Sequence, residues 1–167
     1  LVGSEMCIRD RNNICILGQY NYCSFYYIRS KEDEMLVKDL MSASVISVRP
    51  EDTYDQISFI MRCEDIGIVP VCDGQNHLLG VITDRDMLMR RDEGQDAKAL
   101  MTASPVTVNS GDDIHQAALK FSKYGIRRLP VLDSGRLVGM LSFKDLAKKK
   151  VLTAEIGHIM YNICNYK

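Results

Sequence analysis

The chain has no apolar run near the ~20 residues that a helical membrane span requires, which excludes such a span. It has no excess of charge of one sign: 21 Lys and Arg stand against 22 Asp and Glu, for a formal net charge of −1. With a pI of about 6.3, a basic footprint for nucleic acid spread over the surface is excluded too. Six cysteines are present, but no CxxC pair and no Cys/His cluster at zinc spacing. Cys7, Cys15 and Cys23 come early, while Cys63, Cys72 and Cys164 are scattered, as expected of small apolar residues in a reduced cytosolic protein. His77, His115 and His158 have no partner at metal spacing, so exposed histidine is the expectation. A nucleophile elbow, an HExxH helix, a Walker A loop and a Rossmann glycine fingerprint are all missing, and the chain reads as a non-enzyme.

Residues 1–34 look foreign to the rest of the chain. They lack helical or strand periodicity, and Asn21-Tyr22-Cys23-Ser24-Phe25-Tyr26-Tyr27 is no secretory segment with a cleavage site. The stretch Glu5 to Arg11 resembles the conceptual translation of a transposon end used in sequencing libraries. Residues 1–34 are therefore expected to be a non-native or disordered leader, with Met35 a natural start.

What the chain does have is a repeat. Val69-Pro70-Val71-Cys72-Asp73 followed by Gly80-Val81-Ile82-Thr83-Asp84-Arg85-Asp86 returns as Leu129-Pro130-Val131-Leu132-Asp133 and Gly139-Met140-Leu141-Ser142-Phe143-Lys144-Asp145. Met41, Val48, Asp52 and Pro70 recur sixty positions later as Met101, Val108, Asp112 and Pro130. After a one-residue deletion, Gly80, Thr83 and Asp86 recur fifty-nine later. Each copy is only ~55 residues, near the limit for an independent core, so the two should share one and bind ligands in the seam between them. The expected division is 35–91 for the first repeat, 92–96 for a polar linker, 97–150 for the second repeat and 151–167 for an amphipathic tail.

The residue patterns make each copy β-α-β-β-α, an α/β (α+β) fold with pseudo-twofold symmetry and a C-terminal helix. In the first, Val45 to Val48 reads as a β-branched strand ended by Arg49-Pro50, and Asp52 as the cap of a helix carrying Ile57, Ile60 and Met61. Ile66 to Cys72 and Leu78 to Ile82 read as a hairpin, and Thr83 opens a second helix. In the second, the strands are Val106 to Val108, Arg128 to Leu132 and Leu137 to Leu141, with helices at Ile114 to Lys123 and from Ser142. Leu152, Ile156, Ile159 and Ile163 form one helical stripe that packs on its own domain or on a dimer mate.

Thr83 with Asp86, and Ser142 with Asp145, have the spacing of a capping box at a strand-to-helix junction. The duplicated Gly-x-x-Thr/Ser-x-x-Asp, each copy behind a Val/Leu-Pro-Val-x-Asp strand, resembles a tandem pair of cystathionine β-synthase (CBS) domains, a Bateman module, over about Leu36 to Lys150. That resemblance implies an adenosyl ligand in the seam: AMP, ADP, ATP or S-adenosylmethionine, as a regulatory ligand and not an obligatory cofactor. One site would use Thr83 and Asp86 with Arg127 or Arg128 reaching across. The other would use Ser142, Asp145 and Arg128, with Ile66 and Gly67 lining it. Adenine would lie against Ile46, Val81, Val106 and Met140, read by their backbone groups. Gly67-Ile68 occupies the positions of Arg127-Arg128, so unequal sites are expected. The resemblance further implies an energy or metabolite sensor of stand-alone, bacterial type, homodimeric, cytoplasmic and acting on an effector protein. The alternatives are a ligand-free dimerisation or scaffold module, or a regulatory fragment of a larger enzyme or transporter.

Overall fold

In a computed structural model, residues 35–89, 94–148 and 153–165 are described, without the side chains of 153–156, 158 and 159. The proposed leader and Leu152 lie outside the described residues. Those described all fall within one unit, Asp33–Lys167.

The first hairpin forms where the alternation predicts it. β1 (Ile68–Cys72) pairs antiparallel with β2 (Leu78–Thr83), with Val69 opposite Ile82. Its counterpart is β5 (Arg128–Asp133) with β6 (Arg136–Ser142), with Leu129 opposite Leu141. Helix α1 (Tyr54–Cys63) precedes the first hairpin and α2 (Asp84–Met89) follows it; α4 (Ile114–Tyr124) and α5 (Phe143–Lys148) do the same for the second. Asp52 does not cap α1. Its Oδ2 accepts the Arg49 N–H at 2.7 Å, closing the preceding turn, and Thr53 is the cap, in a reciprocal box with Gln56.

The strand expected over Val45 to Val48 shrinks to one parallel bridge, Val48 to Val71, and its counterpart to β4 (Val108–Asn109). A proline explains both. Cys72 N–H donates to Val48 O, and Val48 N–H to Pro70 O, each at 2.9 Å. The next rung of a parallel ladder would need an N–H on residue 70, which proline lacks. Pro130 ends the second ladder in the same way.

Three elements were not anticipated: a 3-10 turn (Val37–Asp39), α3 (Ala97–Leu100) and β3 (Thr102–Ala103). They reveal an exchange. β3 pairs with β2 of the first repeat, Val81 opposite Thr102, giving a three-stranded sheet β1-β2-β3. Ala97 and Leu100 are fully buried in the first core with Val48, Ile57, Val69, Val71, Ile82 and Met87. Conversely, the 3-10 turn delivers Val37 into the second core, with Ile114, Phe121, Leu129, Leu141 and Leu146. Ser42 then bridges Met140 beside the sheet β4-β5-β6. The bonds that hold the two crossings repeat at the sixty-residue offset. Val37 N–H donates to Asp112 O at 2.9 Å, and Ala97 N–H to Asp52 O at 2.8 Å; Lys38 to Ser110 and Lys98 to Pro50 both measure 3.0 Å.

The tail forms α6 (Thr153–Asn165), which packs on α4 and α5 of its own chain. Ile163 enters the second core and Asn162 Nδ2 donates to Ser122 Oγ at 2.6 Å. The hairpin tips also meet: Leu137 N–H donates to Asn76 O at 3.0 Å, and Asn76 Nδ2 to Leu137 O at 2.7 Å.

Candidate functional site

Strand alternation separates the cores from a second face. Val69, Val71 and Ile82 enter the first core, leaving Ile68, Pro70, Val81 and Thr83 on the opposite face of their hairpin. Leu129, Val131 and Leu141 do likewise in the second repeat, leaving Arg128, Pro130, Met140 and Ser142. Of the residues predicted to meet a ligand, Val81, Thr83, Arg128, Met140 and Ser142 therefore lie on the non-core faces.

At the end of β2, Asp86 Oδ2 accepts the Thr83 hydroxyl at 2.7 Å and the Thr83 N–H at 2.9 Å, while Asp86 N–H returns to Thr83 Oγ1 at 3.3 Å. The second box matches: Asp145 Oδ2 accepts the Ser142 hydroxyl at 2.5 Å and its N–H at 3.0 Å, and Asp145 N–H donates to Ser142 Oγ at 3.3 Å. Each box uses Oδ2 alone. Asp86 Oδ1 has no partner among the described residues, and Asp145 Oδ1 has only Lys148 Nζ at 3.8 Å. A half-buried carboxylate with one oxygen fixed and one spare is a positioned acceptor for a ligand hydroxyl.

Arg127 and Arg128 are both exposed and make no ion pair among the described residues. Arg128 lies opposite Ser142 in the sheet register, yet its Nη1 comes within 3.6 Å of where a Cβ on Gly67 would stand. It thus extends from the second box toward the first. Gly67 O accepts the Asp84 N–H at 3.2 Å, as Arg127 O accepts the Phe143 N–H at 2.9 Å. Spacing alone overlooks Asp84, whose Oδ2 also faces Gly67, although the repeat alignment sets it against Phe143.

The predicted adenine-lining residues are spread more widely. Val81 is buried on the non-core face, Ile46 is exposed, and Ile66 and Val106 pack against the edges of the first and second cores. The Met140 backbone is already engaged. Its N–H donates to Ser42 O and its carbonyl accepts the Ser42 N–H, both at 2.9 Å, which leaves the second lone pair of the carbonyl and the side chain for a ligand.

Other groups are spent on structure. Asp73 is held below the usual carboxylate range, chiefly by the His77 backbone N–H, with the His77 ring at 3.0 Å and the Gln75 N–H assisting. Burial pushes the Cys72 thiol up, which disfavours the nucleophilic thiolate. No cluster of three potential metal ligands occurs among the described residues.

Family comparison fits this architecture. The CBS domain profile matches residues 37–93 and 97–151. The chain belongs to the CBS domain family. CBS domain-containing protein YhcV of Bacillus subtilis is 31% identical over 132 residues, which span 76% of this chain and 94% of that protein. An inosine-5'-monophosphate dehydrogenase of Methanocaldococcus jannaschii is 31% identical over 121 residues, 72% of this chain but only 23% of the enzyme. Among solved structures, the CBS domain pair of protein MJ0100, in complex with 5-methylthioadenosine and S-adenosyl-L-methionine, superimposes with TM-score 0.62 at 27% identity, over 68% of this chain and 94% of that one. CBSX2 of Arabidopsis thaliana in complex with AMP gives TM-score 0.64 at 26% identity, over 71% of this chain and 98% of that one.

Proposed function

We propose that this CBS pair is a regulatory module that binds an adenosyl ligand (AMP, ADP, ATP or S-adenosylmethionine) between its repeats and acts as an energy or metabolite sensor. One observation carries the reading: each box uses only Oδ2 of its carboxylate, leaving Asp86 Oδ1 without a partner among the described residues and Asp145 Oδ1 with only a 3.8 Å contact to Lys148, while Arg128 extends from one box toward the other. The spare oxygens would accept ribose hydroxyls and the guanidinium would take phosphate oxygens in forked geometry. The AMP complex of CBSX2 and the S-adenosyl-L-methionine complex of MJ0100 support this ligand class. Binding would favour one relative arrangement of the repeats, and that shift would be the signal passed to an effector protein. The module is proposed as non-catalytic, homodimeric and cytoplasmic; no helix among the described residues is long and apolar enough to cross a membrane.

The boxes also favour a second reading. Each is a complete helix cap without any ligand, so a scaffold that kept Thr83, Asp86, Ser142 and Asp145 only as caps would look the same. A thermal-shift panel of AMP, ADP, ATP, NAD and S-adenosylmethionine separates the two. A ligand at ~100 times its Kd should add about 2.7 kcal/mol of stability. Asp86→Ala and Asp145→Ala should each remove one site and each lower stability by only ~1 kcal/mol, the worth of a cap. Silence across the panel would favour the scaffold, and binding unchanged in both variants would show that the two aspartates serve only as caps.

A further inference from the structure

Two side chains from different repeats converge on Gly67. A Cβ built there would lie 3.3 Å from Asp84 Oδ2 and 3.6 Å from Arg128 Nη1. Asp84 is anchored in that place: its N–H donates to Gly67 O at 3.2 Å, and its Oδ1 accepts the Arg85 N–H at 2.8 Å. Oδ2 is left facing the start of β1. Asp84 and Arg128 make no ion pair with each other. In the second repeat the same two positions hold Arg127 and Phe143. At equivalent places one box therefore has a glycine and a fixed anion, and the other a cation and a neutral ring.

We infer that Asp84 determines ligand charge at the Thr83/Asp86 site, disfavouring phosphate chains there relative to neutral or cationic adenosyl ligands. The inference rests on the adenosyl reading and adds the charge class to it. A phosphate held by Arg128 on its Gly67 side would stand near Asp84 Oδ2. At ~6 Å in a water-like dielectric, repulsion between two unit charges lowers affinity about threefold, and each further phosphate charge adds to it. A neutral nucleoside escapes this effect, and a sulfonium ligand gains from it. The Ser142/Asp145 box carries Phe143 in the equivalent position and so brings no such anion of its own.

Isothermal titration of the full chain with adenosine, AMP, ATP and S-adenosylmethionine tests this, with chelator present so that the phosphates keep their own charge. Loss of a binding event in Asp86→Ala assigns the site. Asp84→Asn keeps the size of the side chain and an oxygen for the Arg85 N–H. At the assigned site it should tighten ATP more than AMP, by about threefold per phosphate charge, leave adenosine unchanged and weaken S-adenosylmethionine. The gains should shrink as salt is added. Weaker ATP binding would show instead that Asp84 positions Arg128, and an equal change for all four ligands would also overturn the inference. Failure of the unmodified chain to bind any of the four would overturn both readings together. Binding with a charge-independent response overturns this one alone.

Discussion

Gly80 and Gly139 open the two Gly-x-x-Thr/Ser-x-x-Asp segments, where a ligand motif invites a ligand explanation for every member. Packing accounts for both glycines. A Cβ at Gly80 would stand 2.7 Å from Met101 Sδ and 2.8 Å from Thr102 O, and one at Gly139 would meet Met41 Sδ and stand 3.1 Å from Ser42 O. The methionine tails can move, but the carbonyls belong to the exchanged segments and are held by strand pairing. Gly80→Ala should therefore cost about 1–3 kcal/mol, in the range of overpacking. At Gly67 the nearest atom is instead the end of the Asp84 side chain at 3.3 Å, so Gly67→Ala should change stability by under ~0.5 kcal/mol. Urea denaturation of the two variants checks the contrast; equal midpoints would refute it. The boxes were legible at this scale, because the pairing of Thr83 with Asp86 and of Ser142 with Asp145 as caps follows from their spacing, whereas a ligand role for them came only with the family resemblance. Asp84 was not, because its bearing on the site comes from proximity to Gly67 across a strand start, which spacing does not encode.

Among the elements, the hairpins and long helices followed from periodicity, with ends shifted by a residue or two. The opening strands failed because their partner carries the fault: Val45 to Val48 has good strand composition, but Pro70 opposite it cannot supply the next donor. α3 failed because four residues are too few for a periodic signal. Its trace in the sequence is the repeat itself, since Ala97 and Leu100 stand sixty residues after Val37 and Leu40. The tail was readable as a stripe, and its destination is now clear at Ile163, which is 9% exposed in the second core. Ile163→Ala should cost about 2 kcal/mol, at the low end for an aliphatic truncation because the site lies at the edge of the core. Thermal denaturation should show the loss as a lower midpoint. A variant as stable as the original would mean that α6 contributes little to holding the second repeat.

At the scale of the molecule, the exchange makes each core depend on residues from the other half of the sequence. Val37 completes the second core and Leu100 the first, and both are fully buried. Neither repeat can bury its own apolar surface fully without the crossing segment, and repeats this small have little stability to spare. The crossings also tie the two boxes together, since Thr102 flanks Val81 and Ser42 flanks Met140, two residues before Thr83 and Ser142 respectively. A ligand that shifts one repeat thus pulls on a strand rooted in the other. Leu100→Ala should destabilise by about 2–5 kcal/mol, and the loss should reach both repeats. Native-state hydrogen exchange reads this directly: amides of β1 (Ile68–Cys72) and β5 (Arg128–Asp133) should lose protection by the same amount if the unit opens as a whole. If β1 loses protection while β5 keeps its own, the repeats open independently. The interleaved cores would then not couple the two sites, and a signal passing between them would need another route.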